Sequence, residues 1–127
     1  MSDGPADEGV VASGVEVVEI AEAERLLAAG DAVFTEGELR YARERVDPAR
    51  RLAARLAAKR ATCRLLGGGV SEREVEVARG AYGPPSLHLS GAAGERLRAL
   101  GASRALVSLT HEREHAAALV VLLRDGR

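Results

Sequence analysis

Apolar and polar positions alternate along the chain with two different periods, and these periods predict its elements. Around Glu16 the valines alternate with polar residues, which predicts a strand over Val10–Val18 with Glu16 on the face opposite its valine neighbours. Apolar residues then recur at helical spacing over Ile20–Ala29, and Gly30 predicts the end of that helix. The chain therefore opens with a strand followed directly by a helix.

Two more helices are predicted from their start and stop signals. Thr35 and Glu38 form a capping box, in which each side chain satisfies a free backbone N–H of the other residue. Asp47 and Pro48 suit the N-cap and the first turn of a further helix over Ala49–Leu66, which ends at three consecutive glycines.

Beyond those glycines the pattern changes mainly to period two. It predicts strands around Val75 and Val77 and around Leu87 and Leu89, a helix over Ala92–Leu100, and strands over Ala105–Leu109 and Ala116–Leu123. The order β-α-α-α-β-β-α-β-β favours an α+β fold, with a mixed or antiparallel sheet packed with helices, over a doubly wound sheet.

Length and composition narrow the functional classes. The 127 residues suit a single domain, predicted at residues 13–124 behind a flexible tail at 1–12. A net charge of −1 and 2% aromatic residues without Trp argue against a nucleic-acid partner, because there is neither a basic field nor a stacking surface. No stretch is apolar enough to cross a membrane, and the single Cys fits a cytoplasmic location.

One motif, H-E-x-x-H, occurs at residues 111–115 and is typical of zinc proteases. In those enzymes both His side chains lie on one face of a helix and the Glu activates water. Here the motif separates two predicted strands, and no third His follows it. We therefore predict that it is not a zinc site.

Five segments, in this order and at this spacing, resemble the holo-acyl-carrier-protein synthases, which are short phosphopantetheinyl transferases. The resemblance extends from about Gly14 to Leu123 and is carried by Gly14–Ile20, Phe34–Leu39, Arg51–Lys59, Gly83–Leu87 and Ser108–His111. It implies the 4′-phosphopantetheinyl transferase fold and transfer of the phosphopantetheine arm of coenzyme A to a Ser of an acyl carrier protein. It also implies magnesium as a cofactor and a homotrimer with sites between subunits.

The resemblance fails at residues that the implied magnesium chemistry needs. Where the family usually has a metal-binding Asp this chain has Glu16, and the Glu of the family motif K-E-A-x-x-K is replaced by Arg60. A guanidinium removes an oxygen ligand and adds repulsion, so we predict no metal ligands and a direct Glu16–Arg60 ion pair. The second Lys of that motif is replaced by Arg64. An Arg of the first helix, which the resemblance implies for contact with the acidic carrier protein, is replaced by Glu22.

The basic residues of the long helix are candidates for binding phosphate. The cofactor-binding set predicted for coenzyme A is Arg51, Arg55, Lys59, Arg64 and His111, with His111 assigned from the resemblance. For the stripe formed by the first three residues, an ordinary solvated helix face is the alternative interpretation. The catalytic set predicted for a shared cleft is Glu16, Arg60 and His111.

Three functional hypotheses follow. The first is a divergent family member, impaired in magnesium-dependent transfer, that acts on or with a carrier protein. The second is an enzyme that uses the same interfacial cleft for other acid–base chemistry on a polyketide-like or carrier-bound substrate. The third is an active transferase that recruits its metal through another ligand, such as Glu19.

Overall fold

The computed structural model describes residues 9–79 and 83–125, which form five strands and four helices in the predicted order. The strands are β1 (Gly9–Glu19), β2 (Val75–Arg79), β3 (Pro85–Leu89), β4 (Arg104–His111) and β5 (His115–Arg124), and the helices are α1 (Ile20–Ala29), α2 (Glu36–Arg43), α3 (Pro48–Leu65) and α4 (Gly91–Ala99). A short 3-10 turn at Glu72–Glu74, not predicted from the sequence, precedes β2.

The flexible tail predicted at residues 1–12 extends into residues that form β1. Because β1 begins at Gly9 and pairs with β5 from there on, residues 9–12 belong to the strand. Residues 1–8 of that tail, and residues 80–82 of the predicted turn before β3, lie outside the described residues.

The strands form two antiparallel sheets where the sequence suggested one. β5 lies between β1 and β4 in a three-stranded sheet, and β2 pairs with β3 in a hairpin. In the larger sheet Glu16 lies opposite Ala118, and His111 lies opposite Ala116. The α+β class and the antiparallel pairing are as predicted.

Helix α3 is the centre of the molecule. It packs against β1 and β5 on one side and against α1, α2 and β2 on others, so it is buried almost all round. Small alanines allow this close packing, and Leu52 and Leu56 fill the core between the layers. A helix buried on most of its circumference places its charged residues inside the protein, where they need partners.

The predicted capping signals at the two helix starts have different outcomes. At α2 the capping box is confirmed: the Glu38 backbone N–H donates to Thr35 Oγ at 3.2 Å, and the Thr35 N–H donates to Glu38 Oε1 at 2.9 Å. At α3 Pro48 occupies the first turn, but Asp47 does not cap the backbone. Its carboxylate instead accepts hydrogen bonds from Arg50 and Arg51.

One face of the three-stranded sheet is not covered by any helix. Its apolar side chains remain exposed: Val15 by 57%, Val17 by 59%, Leu106 by 47% and Leu119 by 43%. We call these four residues the open sheet face. The alternation predicted around Glu16 is therefore present: Val15 and Val17 point outward, whereas Glu16 points toward α3.

Three consecutive glycines end α3 in an unusual backbone conformation. Gly67, Gly68 and Gly69 have φ values of 89°, 78° and 75°, which residues with a side chain rarely adopt. Arg96 of α4 closes the turn, because its Nη1 donates to the carbonyl oxygens of Leu66 at 2.7 Å and of Gly68 at 3.1 Å.

Candidate functional site

Arg60 joins α3 to α1 through a two-pronged ion pair. Its Nη1 donates to Glu22 Oε1 at 3.1 Å and its Nη2 to Glu22 Oε2 at 2.6 Å, while its Nε lies 3.9 Å from Glu72 Oε2. The predicted Glu16–Arg60 pair is therefore wrong. Arg60 faces α1, and the side chain that reaches Glu16 is Arg64, one helical turn further along α3.

The ion pair favours the charged forms of both Glu22 and Arg60. The hydrogen bonds from Arg60 hold the pKa of the Glu22 carboxyl below its ordinary value and, reciprocally, raise the pKa of the Arg60 guanidinium. The nearby carboxylates of Glu72 and Glu16 add to the rise for Arg60. Arg60 is thus bound to Glu22, lies close to Glu72 and is attracted by Glu16 at longer range.

These residues do not fit the magnesium ion that the resemblance implies. A divalent ion would need oxygen ligands that are free, but Glu22 is engaged by both terminal nitrogens of Arg60, and Glu16 is engaged by Arg64. In the described part of the chain, no group of three or more His, Cys, Asp or Glu side chains is arranged to hold a metal.

Several other basic side chains line a separate cleft that has a volume of about 260 Å³. It lies between α2, α3, the end of β2 and the end of β4, and is lined by Tyr41, Arg51, Ala54, Arg55, Arg79, Leu109, Thr110 and His111. Within the described residues no carboxylate lines it. Three guanidinium groups and an imidazole converge there, which is the arrangement that binds phosphate.

Arg55 is the most buried of these cations, at 3% exposure. Its Nη1 donates to the Arg51 carbonyl oxygen at 3.3 Å, but its Nε is buried and has no hydrogen-bond partner. Burial lowers the pKa of Arg55 from its ordinary value. The solvated-face interpretation of this stripe is therefore wrong for Arg55, although Arg51 remains partly exposed and pairs with Asp47.

Lys59 was predicted to bind the cofactor, and its position does not agree with that role. The side chain is completely buried, and its Nζ donates to both Glu38 oxygens at 2.8 and 3.1 Å and to the Val75 carbonyl oxygen at 2.6 Å. The Val77 backbone N–H completes the set by donating to Glu38 at 2.8 Å. With all three Nζ protons engaged, Lys59 joins α2, α3 and β2 as a structural residue.

The H-E-x-x-H segment forms the turn between β4 and β5 and is not helical. His111 ends β4 beside the basic cleft, whereas His115 begins β5 with its Nδ1 2.9 Å from Glu112 Oε2. This turn therefore does not present the two His side chains on one face of a helix, which the zinc-protease motif requires. The hydrogen bond to Glu112 raises the pKa of His115.

The predicted site residues thus fall into two groups. Arg51, Arg55 and His111 meet in the cleft, while Glu16, Arg60 and Arg64 form the carboxylate-bound group on another side of α3. No hydrogen bond or ion pair among the described residues joins His111 to either member of its predicted catalytic set. Within one chain the set is not assembled.

Sequence reasoning missed two cleft residues, Tyr41 and Arg79. Tyr41 lies on α2 four residues before Arg45, and Arg79 is the last residue of β2. The available signal was the position of Arg79 where a strand ends, since side chains at strand ends commonly line sites. Nothing in the pattern of α2 indicates that Tyr41 faces α3.

No protein-family model matches the chain, but individual proteins do. It is 40% identical over 127 residues to a holo-acyl-carrier-protein synthase of Anaeromyxobacter sp. strain K, covering 92% of this chain and 98% of that protein. It is 37% identical over 129 residues to that of Shewanella loihica, covering 89% and 97%.

A solved structure supports the same assignment. The holo-acyl-carrier-protein synthase of Bacillus anthracis, in complex with coenzyme A as 3′,5′-ADP, superposes with a TM-score of 0.73 at 27% identity, covering 91% of this chain and 98% of that one. Within the described residues, no helix has the length and apolar character needed to traverse a bilayer. With near-complete coverage of its relatives and the predicted order of elements, this chain belongs to the holo-acyl-carrier-protein synthase family.

Proposed function

We propose that this protein binds coenzyme A in the basic cleft and acts on or with an acyl carrier protein, but with impaired magnesium-dependent phosphopantetheinyl transfer. The observation that carries the proposal is the Arg60–Glu22 ion pair. It sits where the resemblance implies that a carboxylate of α3 holds a metal. Family membership alone is equally compatible with a fully active enzyme, so the distinction rests on this pair.

The cleft supports coenzyme A as the ligand. Coenzyme A carries a diphosphate and a 3′-phosphate, and Arg51, Arg55 and Arg79 offer guanidinium groups that match phosphate oxygens. His111 adds a nitrogen donor at the exposed rim of the same cleft. The relative from Bacillus anthracis was solved with 3′,5′-ADP of coenzyme A, which supports the same ligand class here.

The impairment follows from the charges on α1 and α3. Relative to the residues that the resemblance implies, positions 22 and 60 have exchanged sign: Glu22 stands for an Arg and Arg60 for a Glu. An exchange of this kind preserves an attractive pair within the protein. It also removes the free carboxylate from α3 and the basic side chain from α1, both of which the family's chemistry and its acidic partner are expected to use.

Any residual transfer is a substitution at a phosphorus atom of coenzyme A. The carrier Ser oxygen forms a bond to the phosphorus of the phosphopantetheine arm, the diphosphate bond breaks, and 3′,5′-ADP leaves as the Ser proton is lost. This chain's own contribution is to hold the leaving 3′,5′-ADP through Arg51, Arg55 and Arg79 and to neutralise its charge. We assign no step to a metal ion.

A mass-spectrometric transfer assay, together with calorimetric binding of coenzyme A, tests the proposal. The chain should bind coenzyme A but convert an acyl carrier protein slowly, with little stimulation by Mg²⁺. Arg60→Glu should increase the Mg²⁺ stimulation, because it returns a carboxylate to α3, and Arg60→Gln is the matched control. Rapid Mg²⁺-dependent transfer by the unmodified chain would overturn the impairment and establish the active transferase.

The open sheet face supports assembly into a homotrimer. Four apolar side chains on β1, β4 and β5 form a continuous surface, since Val15 lies opposite Leu119 in the sheet. Contiguous exposed apolar surface of this kind marks an interaction site. The resemblance implies that two further copies of this chain cover this face. We propose that the resulting trimer operates in the cytoplasm.

A further inference from the structure

Two guanidinium groups lie close to the ring of Tyr41. The Cζ of Arg45 is 4.0 Å from the ring centroid and the Cζ of Arg55 is 4.1 Å from it. Cation–π attraction is strongest where the cation is desolvated, which applies to Arg55 and not to the exposed Arg45.

Apart from Tyr41, few contacts hold the Arg55 guanidinium in position. Among the described residues no carboxylate lies within ion-pairing distance of Arg55, its Nη1 donates to the Arg51 carbonyl oxygen, and, although burial lowers its pKa, hydrogen bonding to the Tyr41 hydroxyl acts to raise it. Its unpartnered Nε is buried. Tyr41 is therefore the principal side-chain contact of this guanidinium beside the cleft.

The surroundings of Tyr41 are cationic throughout. Partial burial raises the pKa of the Tyr41 phenol, but the guanidinium groups of Arg45, Arg55 and Arg79 outweigh that effect and hold the pKa below its ordinary value. Like charges at this density repel one another unless an anion joins them. The cleft beside Arg55 and Arg79 is where such an anion fits.

We propose that Tyr41 is a positioning residue for the bound phosphate: its ring holds the Arg55 guanidinium in place before the ligand arrives. The inference rests on the proposed coenzyme A site. A guanidinium that is already oriented loses less conformational freedom when it binds, so the ring contributes to affinity without touching the ligand. The role is assigned to the ring, and the Tyr41→Phe variant, which keeps the ring and loses the hydroxyl, tests that assignment.

Calorimetric titration of the full chain with 3′,5′-ADP tests the proposal through a matched pair of variants. Tyr41→Phe keeps the ring and should bind within about twofold of the unmodified chain, whereas Tyr41→Leu removes it and should bind about tenfold more weakly. Arg45→Gln is the control at the other guanidinium beside the ring, and it should leave the dissociation constant almost unchanged because Arg45 does not line the cleft.

A double-mutant cycle separates positioning from general damage. In an Arg55→Lys background, which keeps the charge but loses the planar group, Tyr41→Leu should have little further effect on affinity. Equal binding by the Tyr41→Leu and unmodified chains would overturn the inference. So would a tenfold loss that persists in the Arg55→Lys background, because the ring would then act independently of Arg55.

Inorganic diphosphate, titrated in parallel, distinguishes this inference from the proposed function. If the unmodified chain binds diphosphate but not 3′,5′-ADP, the coenzyme A site is refuted while the role of Tyr41 can still be measured with diphosphate. If it binds neither probe, both proposals are overturned. If it binds both, the Tyr41 variants decide.

Discussion

Arg60 holds Glu22 with both of its terminal nitrogens, at 3.1 and 2.6 Å, and so ties the central helix to α1. Each side chain is about one-third exposed, at 32% for Arg60 and 33% for Glu22. Solvent therefore screens the pair, and its contribution to stability is modest. Under the proposed function, its larger effect is on which ions and partners this side of the protein attracts.

Reversing the pair tests that view. Arg60→Glu brings a carboxylate next to Glu22 and Glu72, and we expect it to lower the free energy of unfolding by about 1–2 kcal/mol. The double variant Glu22→Arg with Arg60→Glu restores opposite charges and should recover most of the loss. Urea unfolding measures both. Equal stability of the single and double variants would show that the two residues are not coupled.

The buried Lys59–Glu38 pair should be far more important for stability. Lys59→Met leaves the Glu38 carboxylate buried without its counter-charge, and removal of one partner of such a pair costs about 3–5 kcal/mol. Adding Glu38→Gln removes the stranded charge and should recover part of that loss. Urea denaturation followed by circular dichroism provides the measurement, with Lys59→Met at or above the stability of the unmodified chain as the contrary result.

The open sheet face predicts how assembly responds to charge. Leu119→Glu places a carboxylate near the middle of the apolar surface and should shift the protein to monomers, because a buried unpaired charge opposes association. Val46→Glu is the control, since Val46 is fully exposed at 101% and lies outside this face. Size-exclusion chromatography with light scattering reads out the mass. A trimer that persists in Leu119→Glu would refute this face as the interface.

Tyr41 should ionise at a lower pH than an ordinary phenol. The sequence contains two tyrosines, so a Tyr82→Phe variant leaves Tyr41 as the only phenol, and its absorbance at about 295 nm should rise with a midpoint below 10.0. Because the folded-state pKa is lowered, this group stabilises the fold increasingly as pH rises through that pKa, and the contribution is lost below it. A midpoint at or above 10.0 would contradict the convergence of Arg45, Arg55 and Arg79 on the ring.

The sequence predicted the elements of this protein better than the partners of its charges. The predicted bounds of α1 agree with the structure, and the capping box at Thr35 and Glu38 is present. Local signals of this kind act within a few residues, so they can be recognised without knowledge of the tertiary packing. The predicted order of helices and strands was then enough to assign the α+β fold class.

The ion pairs depend on contacts between distant segments, which local patterns do not encode. The sequence places Arg60 and Arg64 one turn apart, but which of them meets Glu16 depends on the rotation of α3 against β1 and α1. Similarly, Arg55 and Lys59 have the spacing of a solvated stripe. Their burial follows from elements that pack around α3 on every side.

The glycine turn after α3 has a consequence for how this protein can change. Gly67, Gly68 and Gly69 adopt backbone angles that disfavour every chiral amino acid, so the loop tolerates little drift in composition. Arg96 of α4 braces that loop through its hydrogen bonds to the Leu66 and Gly68 carbonyl oxygens. Substitutions on α4 can therefore retune the last turn of α3, where Arg64 lies, without touching Arg64 itself.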